Sequence, residues 1–366
     1  MIMETADSRQ QTADSRQQTA DSRQQTADSR CHYFDFLRVV AAFGVIVLHV
    51  STWRLHLRDS GSLEFSASLI FTYMCEWAVP VFVMISGALF LGREIPLRKI
   101  YGKYIFRIFT AFLFWSFVYA VMWFVFRKAG FTECLKQFVR GNYHMWFLFM
   151  IVWMYTVIPM LKRIAVSERL AVYFLALWFV SFIAVPQSAR MVGIFSKNLS
   201  TFINEVIDNF HLCFTMGYTG YFILGYILHK TEITAKTEHF IYAAGVLSFL
   251  TSFVVGVLIS KFTGRAYTSL RGNTMGNFFE STAIFVFFMK HFRKGSRFAE
   301  ALSRYSFGAY LVHDAVIQFV LKICRIDTFS FTPLISIPVI SVIVFVISFA
   351  ISAVINHIPI LKKYIV

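Results

Sequence analysis

The chain has 366 residues, of which 57% are hydrophobic and 43 are phenylalanine. A soluble domain of this length could not bury so much apolar surface, so the composition predicts a polytopic membrane protein. The formal charge of +15 also fits a nucleic-acid partner. However, the Lys and Arg residues lie in short segments between apolar stretches, which indicates membrane topology and no nucleic acid.

The first 32 residues are polar and repetitive. Three copies of TADSRQQ and a truncated fourth, TADSR, occupy residues 5–30. Alanine is the only apolar residue of each unit, so the repeat has no coiled-coil seam, and a disordered tail is predicted. We therefore divide the chain into a repeat tail over residues 1–32 and a transmembrane domain over residues 33–366, with no cleavable signal peptide.

Ten apolar segments are long enough to be predicted as membrane spans. They cover residues 33–52, 68–90, 105–126, 143–161, 170–186, 213–229, 238–260, 276–292, 302–323 and 334–355. Pro186 is predicted to end the fifth span. Lys and Arg are more frequent in the segments that are cytoplasmic when the N-terminus is inside. The fold class predicted is thus an all-α transmembrane helix bundle of about ten spans, with both termini inside.

The first span, YFDFLRVVAAFGVIVLHVST, carries Asp35, Arg38 and His49. Ionisable groups at membrane depth are costly and indicate a function by default. Arg38 and His49 are 11 residues apart, about 20° from three full turns, so both point the same way with roughly 16 Å of rise between them. Asp35 lies one turn before Arg38 and can pair with it. The alternative is that Arg38 extends to the headgroups and His49 only caps the helix.

A basic segment follows the second span and faces the cytoplasm in this topology. It includes Arg98, Lys103 and Arg107, with Tyr104 among them. The cluster either anchors the topology or binds the phosphates of an anionic nucleotide. Arg38 is predicted to open on the same side of the membrane, which makes a phosphate site consistent with the first span.

Small residues in two spans predict close helix packing. Ser86 and Gly87 lie in the second span, and Gly217, Gly220 and Gly225 lie in the sixth. Glycine and serine allow the backbones of membrane helices to approach each other closely. Ser86 could instead make a polar contact.

Four further residues are candidates for a site. His144 and Trp146 begin the fourth span, near the predicted outer mouth. As a buried carboxylate, Glu280 would orient His49 or bind a substrate. The alternative is that Glu280 lies at a helix start in solvent. His313 lies inside the ninth span, where packing and chemistry are both open interpretations.

These residues belong to strings that resemble the acyltransferase-3 family of integral membrane acyltransferases. The pattern D-x-x-R-x-x-A-x-x-x-x-x-x-x-H from Asp35 to His49 resembles the first helix of the family, whose hallmark is an Arg and a His separated by ten residues. The supporting strings are V-P-x-F-x-x-I-S-G in the second span, H-x-W-F-L in the fourth and S-F-G-x-Y-L-x-H in the ninth. The variety resembled is the bacterial surface-polysaccharide O-acetyltransferase.

The resemblance implies an enzyme that moves an acyl group, commonly acetyl, from cytoplasmic acetyl-CoA to a hydroxyl of a surface glycan or glycolipid. The catalytic residues would be His49 and Arg38. His49 would be the general base or a transient acyl carrier, and Arg38 would bind or orient the donor. The donor would be bound by Arg38, Arg98, Lys103, Arg107 and Tyr104. The supporting residues would be Asp35, Ser86, His144, Trp146, Glu280 and His313.

The expected surroundings follow from the same resemblance. The partners would be the acyl-CoA donor, a glycan or lipid-linked sugar acceptor and the lipids of a bacterial cytoplasmic (inner) membrane. No tightly bound cofactor is expected, and no metal motif is present in the sequence. Homo-oligomerisation stays open, because small-residue faces serve both internal and external packing.

Two other classes of function stay open at this point. Intramembrane Arg, His and Glu also fit a proton relay in a transporter or a flippase of lipid or polysaccharide, although the two halves of the chain show no visible similarity. A receptor or structural partner would leave the spacing of Arg38 and His49 unexplained. The absence of a G-x-S-x-G string argues against a serine acyl-enzyme on a soluble fold.

Overall fold

The computed structural model describes residues 31–209, 217–264, 273–324, 326, 328–329 and 331–365. The repeat tail predicted over residues 1–32 therefore lies outside the described residues, apart from Cys31 and His32. Every regular element in the described ranges is helical and none is a strand, in agreement with the predicted all-α class.

Sixteen helices are numbered here in chain order. They are α1 (Tyr33–Ser51), α2 (Leu63–Cys75), α3 (Ala78–Leu91), α4 (Phe106–Arg127), α5 (Phe131–Arg140), α6 (Trp146–Thr156), α7 (Ile158–Val166), α8 (Glu168–Trp178), α9 (Val185–Phe195), α10 (Lys197–Asn209), α11 (Thr219–Lys230), α12 (Ala235–Thr263), α13 (Met275–His291), α14 (Arg297–Gln318), α15 (Pro333–His357) and α16 (Pro359–Tyr364). Short turns connect or extend these helices. Three are short helical turns, at Leu55–Leu57, Leu97–Lys99 and Tyr143–Met145, and three are π-helical turns, at Ile100–Ile105, Phe179–Ala184 and Phe319–Ile323.

Seven helical stretches of the described chain are long and apolar enough to cross a membrane. An eighth is added if the stretch Phe131–Val166, which bends by 63° near Val157, counts as one span. The bend has a local cause, because Pro159 lacks the backbone N–H that would continue the helix. The predicted spans at 213–229 and 276–292 correspond to α11 and α13, which have 12 and 17 residues. The ten-span count and the inside placement of both termini stay predictions.

The boundary predicted at Pro186 is wrong, because the helical stretch continues from Glu168 to Phe195. Pro186 lies in the first turn of α9, directly after the π-helical turn Phe179–Ala184. Proline cannot donate the backbone hydrogen bond of a regular helix, and the π-helical turn directly before Pro186 is a place where the regular pattern is already interrupted.

Helix α1 lies at the centre of the bundle. It packs against α14, α15, α3 and α2, and 13 of its 19 residues are buried. Asp35 lies in its first turn, where the helix dipole favours a negative charge. The helix ends before Arg54, whose φ of +54° takes the chain out of the helical path. The first span is therefore surrounded by protein along most of its length, which suits a helix that carries ionisable groups.

Glycines let α3 and α11 pack almost backbone to backbone. A Cβ atom at Gly87 would lie 1.8 Å from the carbonyl oxygen of Phe222, and one at Gly225 would lie 2.1 Å from that of Met84. No side chain fits at either position, so the predicted close packing at Gly87 and Gly225 is confirmed. It is also confirmed at Gly220, where a Cβ atom would lie 1.9 Å from the ring of Trp178, but it is wrong at Gly217, where no atom of the described residues lies within 4 Å of such an atom.

Replacing Gly225 with alanine is expected to destabilise the fold. The added methyl group must push α3 and α11 apart, and overpacking of this kind costs about 1–3 kcal/mol. The measurement is the thermal unfolding midpoint of the purified protein in detergent. Gly102→Ala is the matched control, because nothing lies within 4 Å of a Cβ atom there. Equal midpoints for the two variants would contradict the close packing.

Candidate active site

A cavity of about 360 Å³ lies between α1, α3, α4, α6 and α14. Most of its wall is apolar, but three arginines, Arg38, Arg107 and Arg304, also line it. Arginine is suited to bidentate contacts with phosphate oxygens. The cavity can therefore hold a ligand that has an anionic part and an apolar part.

Arg38 is held in the wall of this cavity by two neighbours. A guanidinium nitrogen lies 3.5 Å from a carboxylate oxygen of Asp35 and 3.4 Å from the hydroxyl of Ser303 on α14. Asp35 is buried, whereas 29% of the surface of the Arg38 side chain is exposed. The predicted pairing of Asp35 with Arg38 is confirmed, and the pair presents a positioned cation to the cavity.

His49 lies in a second group of polar residues, at the other end of α1. Its Nδ1 atom is 3.4 Å from the hydroxyl of Tyr143, and that hydroxyl is 2.8 Å from a carboxylate oxygen of Asp314. Asp314 is fully buried, and its other oxygen accepts from the side-chain amides of Asn142 (2.5 Å) and Gln318 (2.7 Å). A carboxylate that is removed from water needs such donors to stay ionised.

The direction of these hydrogen bonds fixes the tautomer of His49. An ionised carboxylate only accepts, so Tyr143 donates its proton to Asp314. The oxygen of Tyr143 is then the acceptor for His49, whose proton must be on Nδ1. The other ring nitrogen, Nε2, carries the lone pair. This His–Tyr–Asp chain is the arrangement that a general base needs, with a buried anion behind it to balance the charge it gains.

Two more histidines complete the cluster. The ring of His313 lies 5.1 Å from that of His49 and 4.9 Å from that of His144, between ring centroids. Nδ1 of His313 donates to the carbonyl oxygen of Tyr310 at 2.5 Å. The Nε2 atoms of His144 and His313 are buried and have no hydrogen-bond partner within the described ranges. The same ranges contain no group of three His, Cys, Asp or Glu residues suited to a metal ion.

Tyr119 of α4 fixes the backbone that carries His313 and Asp314. Its hydroxyl donates to the carbonyl of Leu311 at 2.9 Å and accepts from the N–H of Ala315 at 3.2 Å. In a regular α-helix these two backbone groups bond to each other. The hydroxyl therefore joins α4 to two backbone groups of α14 on either side of His313 and Asp314.

Tyr310 lies at the boundary between the cavity and the histidine cluster. Its side chain lines the cavity, and its hydroxyl donates to the backbone carbonyl of His144. The Tyr310 ring is 5.6 Å from the ring of His144 and 5.7 Å from that of His313. His49 does not line the cavity itself, so in this conformation Tyr310 stands between the arginines and the candidate base.

Comparison with known families decides which kind of chemistry this arrangement serves. A family model for the acyltransferase-3 domain matches residues 32–356, nearly the whole chain. The protein belongs to the acyltransferase-3 family. It is thus a membrane acyltransferase, and membership favours this interpretation over the transporter. The same comparisons found no matching curated protein and no matching solved structure.

The predicted donor-binding residues of this acyltransferase fall into two groups. Arg38 and Arg107 line the cavity, and the Arg107 guanidinium lies 5.9 Å above the ring of Phe307. Arg98 and Lys103 are exposed and do not contribute to the cavity wall. Tyr104 stands one layer behind that wall, with its ring against those of Phe90 and Tyr155 (5.0 and 6.3 Å between centroids).

Of the predicted supporting residues, some line the cavity and others lie elsewhere. Ser86 lines the cavity and donates to the Phe82 carbonyl at 3.0 Å, whereas the ring of Trp146 packs 5.7 Å from that of Tyr218. Glu280 is buried in α13, so the interpretation as a solvated helix start is wrong. Its carboxylate lies over Gly276 of the same helix. No contact within the described ranges joins it to His49.

Sequence reasoning missed the two partners of His49 and one arginine of the cavity. Tyr143 begins the fourth span, where a tyrosine is typical of the membrane interface, and Asp314 follows His313 directly. The available signal was Asp314 itself, an acidic residue inside an apolar span, which indicates a function. Arg304 gave no signal of its own, because it lies in a segment whose positive charge is explained by topology.

Proposed function

We propose that this acyltransferase moves a short acyl group, acetyl in the simplest case, from cytoplasmic acyl-CoA to a hydroxyl of a surface glycan or lipid-linked sugar. The observation that carries the proposal is the hydrogen-bonded chain from His49 through Tyr143 to Asp314, beside a cavity with three arginines. Transfer from a thioester to a hydroxyl needs a base, and an anionic donor needs cations for its phosphates. The histidine chain supplies the base and the arginines supply the cations.

The volume of the cavity suits one end of the donor, with the other end outside. At about 360 Å³ it is near the lower limit of ligand pockets, so it suits the acyl group and its pantetheine arm. Arg38, Arg107 and Arg304 would contact the phosphates where the cavity opens. The nucleotide would then lie outside, near the exposed Arg98 and Lys103, which gives the basic segment its predicted role. Such a donor acts as a co-substrate and reaches the enzyme from the cytoplasmic side of a bacterial inner membrane.

His49 would act as the general base. Its Nε2 atom takes the proton of the acceptor hydroxyl while the hydroxyl oxygen bonds to the thioester carbonyl carbon. The charge on the imidazolium is balanced by Asp314 through Tyr143. The tetrahedral intermediate then breaks its carbon–sulfur bond, and the departing thiolate takes the proton back from His49 Nε2. The products are the ester and free CoA, and His49 returns to its starting tautomer.

Transfer requires that the thioester reach His49, which lies beyond Tyr310. We infer that the Tyr310 ring moves aside when the donor occupies the cavity. The movement breaks a single hydrogen bond, the one to the His144 carbonyl. Until then the ring separates the base from the cavity, which would limit the hydrolysis of bound donor by water.

The donor site is tested by binding of CoA to the purified protein. Arg38→Gln is expected to weaken the affinity about 10- to 100-fold, because a hydrogen bond to a charged group contributes about 1.5–3 kcal/mol. The measurement is isothermal titration in detergent. Lys99→Gln is the matched control, since Lys99 is an exposed cation of the basic segment that lies outside the cavity wall.

Two comparisons make this test decisive. The thermal unfolding midpoint of each variant shows whether Arg38→Gln still folds. Equal loss of affinity in the Arg38 and Lys99 variants would mean that the basic surface, and not the cavity, attracts the donor. Unchanged affinity in Arg38→Gln would overturn the donor site.

A further inference from the structure

A second cavity, of about 490 Å³, lies at the same end of the bundle as Arg38. It is formed by the start of α1, the end of α11 with the loop that follows it, and the end of α13. Its wall carries three cations, Lys230, Lys290 and Arg293, against one carboxylate, Glu232. This cavity is lined by none of the residues that surround the arginines of the first.

The cations of this second cavity differ in their surroundings. Lys290 already has two partners within the protein. Its Nζ atom donates to the carbonyl of Ile233 at 2.5 Å and lies 4.0 Å from the carboxylate of Glu238. It ties the loop after α11 to α13. Lys230 and Arg293 are exposed, so they remain accessible to a ligand. The wall therefore keeps an excess of positive charge after its internal pairings are taken into account.

Neutral hydrogen-bonding groups lie beside these cations. The hydroxyl of Tyr33 is 2.8 Å from Nδ1 of His229, and Tyr33 is 95% buried, with 5% of its surface exposed. The side chain of Thr231 adds a hydroxyl to the same wall. Cations combined with neutral donors around a concave surface are the arrangement that holds phosphate oxygens.

We propose that this second cavity binds the phosphate group of a phosphorylated ligand, with Lys230 and Arg293 as its main contacts. The ligand is either the headgroup of an anionic membrane lipid or a soluble phosphate compound. Basic pockets between membrane helices on the cytoplasmic side take lipid headgroups of this kind. The site is separate from the donor cavity, because Tyr33 and Arg38 are five residues apart on α1, about 140° around the helix.

An ordinary topology signal would also place cations at this membrane face. Such a signal requires only charge near the surface. It does not account for a concave wall that a buried tyrosine and a histidine share with the cations. The inference does not rest on the proposed transfer reaction, since none of its residues contacts the His49 cluster in the described structure.

The test is binding by the delipidated full-length protein in detergent. Phosphatidic acid and inorganic phosphate are titrated separately, with phosphatidylcholine as the zwitterionic reference of zero net charge, and the thermal unfolding midpoint is followed. The double variant Lys230→Gln with Arg293→Gln is expected to bind the effective probe at least 10-fold more weakly than wild type. Lys362→Gln with Lys363→Gln, a pair of exposed cations on α16, is the matched control and is expected to bind like wild type.

Each outcome has a defined meaning. Binding of phosphatidic acid alone identifies a lipid headgroup, whereas a response to inorganic phosphate identifies a soluble ligand. Equal weakening in both double variants, or no binding of either probe by wild type, overturns the proposal. Acetylation of Lys230 by a chemical reagent, read by mass spectrometry, provides a second measurement that needs no variant. The bound probe should protect Lys230 and leave Lys362 reactive. A His49→Ala protein should bind the probe normally, so a failure of the proposed reaction does not affect this test.

Discussion

Replacing His49 with alanine is expected to lower the rate of acyl transfer by at least 100-fold. A general base contributes about 10²- to 10⁴-fold to a reaction, and His49 is the histidine whose Nδ1 is joined to a buried carboxylate through a tyrosine. The measurement is transfer of labelled acetyl from acetyl-CoA to acceptor glycan by the protein in native membranes. Affinity for CoA should change little, because His49 does not line the donor cavity.

The matched control is His357→Ala, in an exposed histidine at the end of α15 that bonds only to the backbone of its own helix among the described contacts. This variant should keep wild-type transfer. Full activity in His49→Ala would reject His49 as base and as acyl carrier. Loss of both transfer and CoA binding in His49→Ala would indicate a damaged fold, which the unfolding midpoint would then reveal.

The second large effect is expected for Asp314→Asn, which keeps the shape of the side chain and removes its charge. We expect a loss of about 100-fold in kcat, with a small change in the KM for the donor. Without the anion, the imidazolium formed at His49 has no charge to balance it. Tyr143→Phe breaks the same chain but leaves the carboxylate in place, so a smaller loss of about 10-fold is expected.

A structural role for Asp314 can be separated from a role that acts through His49. In the variant with both His49→Ala and Asp314→Asn, the transfer rate should fall no further than in His49→Ala alone. The effects of residues that act as one unit are not additive. Additive losses would show that Asp314 affects transfer by another route. The unfolding midpoint of Asp314→Asn completes the test, since Asn142 and Gln318 also donate to this carboxylate.

Helical periodicity was enough to predict how the ionisable residues of the first span are arranged around the helix. The 11-residue separation of Arg38 and His49, and the one-turn separation of Asp35 and Arg38, depend only on helix geometry. The small residues Gly87 and Gly225 likewise predicted close approach, because a glycine lacks the atom that would prevent it. The strings in four spans were sufficient to indicate the family, which the match over residues 32–356 then established.

Contacts between distant segments could not be predicted in the same way. Tyr143 and Asp314 are 171 residues apart, and their hydrogen bond depends on how α14 docks against the start of the fourth span. Exposure was equally undecided for Glu280, because a carboxylate near a helix start is buried or solvated according to the neighbours of that helix. The sequence alone contained no information about those neighbours.

The amino-acid sequence by itself determined an all-helical membrane chain, an arginine and a histidine on one face of its first helix, and membership of an acyltransferase family. The first two follow from composition and from spacing along one helix, which are local properties. The family follows from the strings that resemble it, and the match over residues 32–356 established it. Only the tertiary structure decided that Arg38 faces a cavity while His49 joins Tyr143 and Asp314 behind Tyr310. The physical reason is that side-chain direction follows from helix geometry, whereas the partner in that direction is set by the packing of helices far apart in the chain.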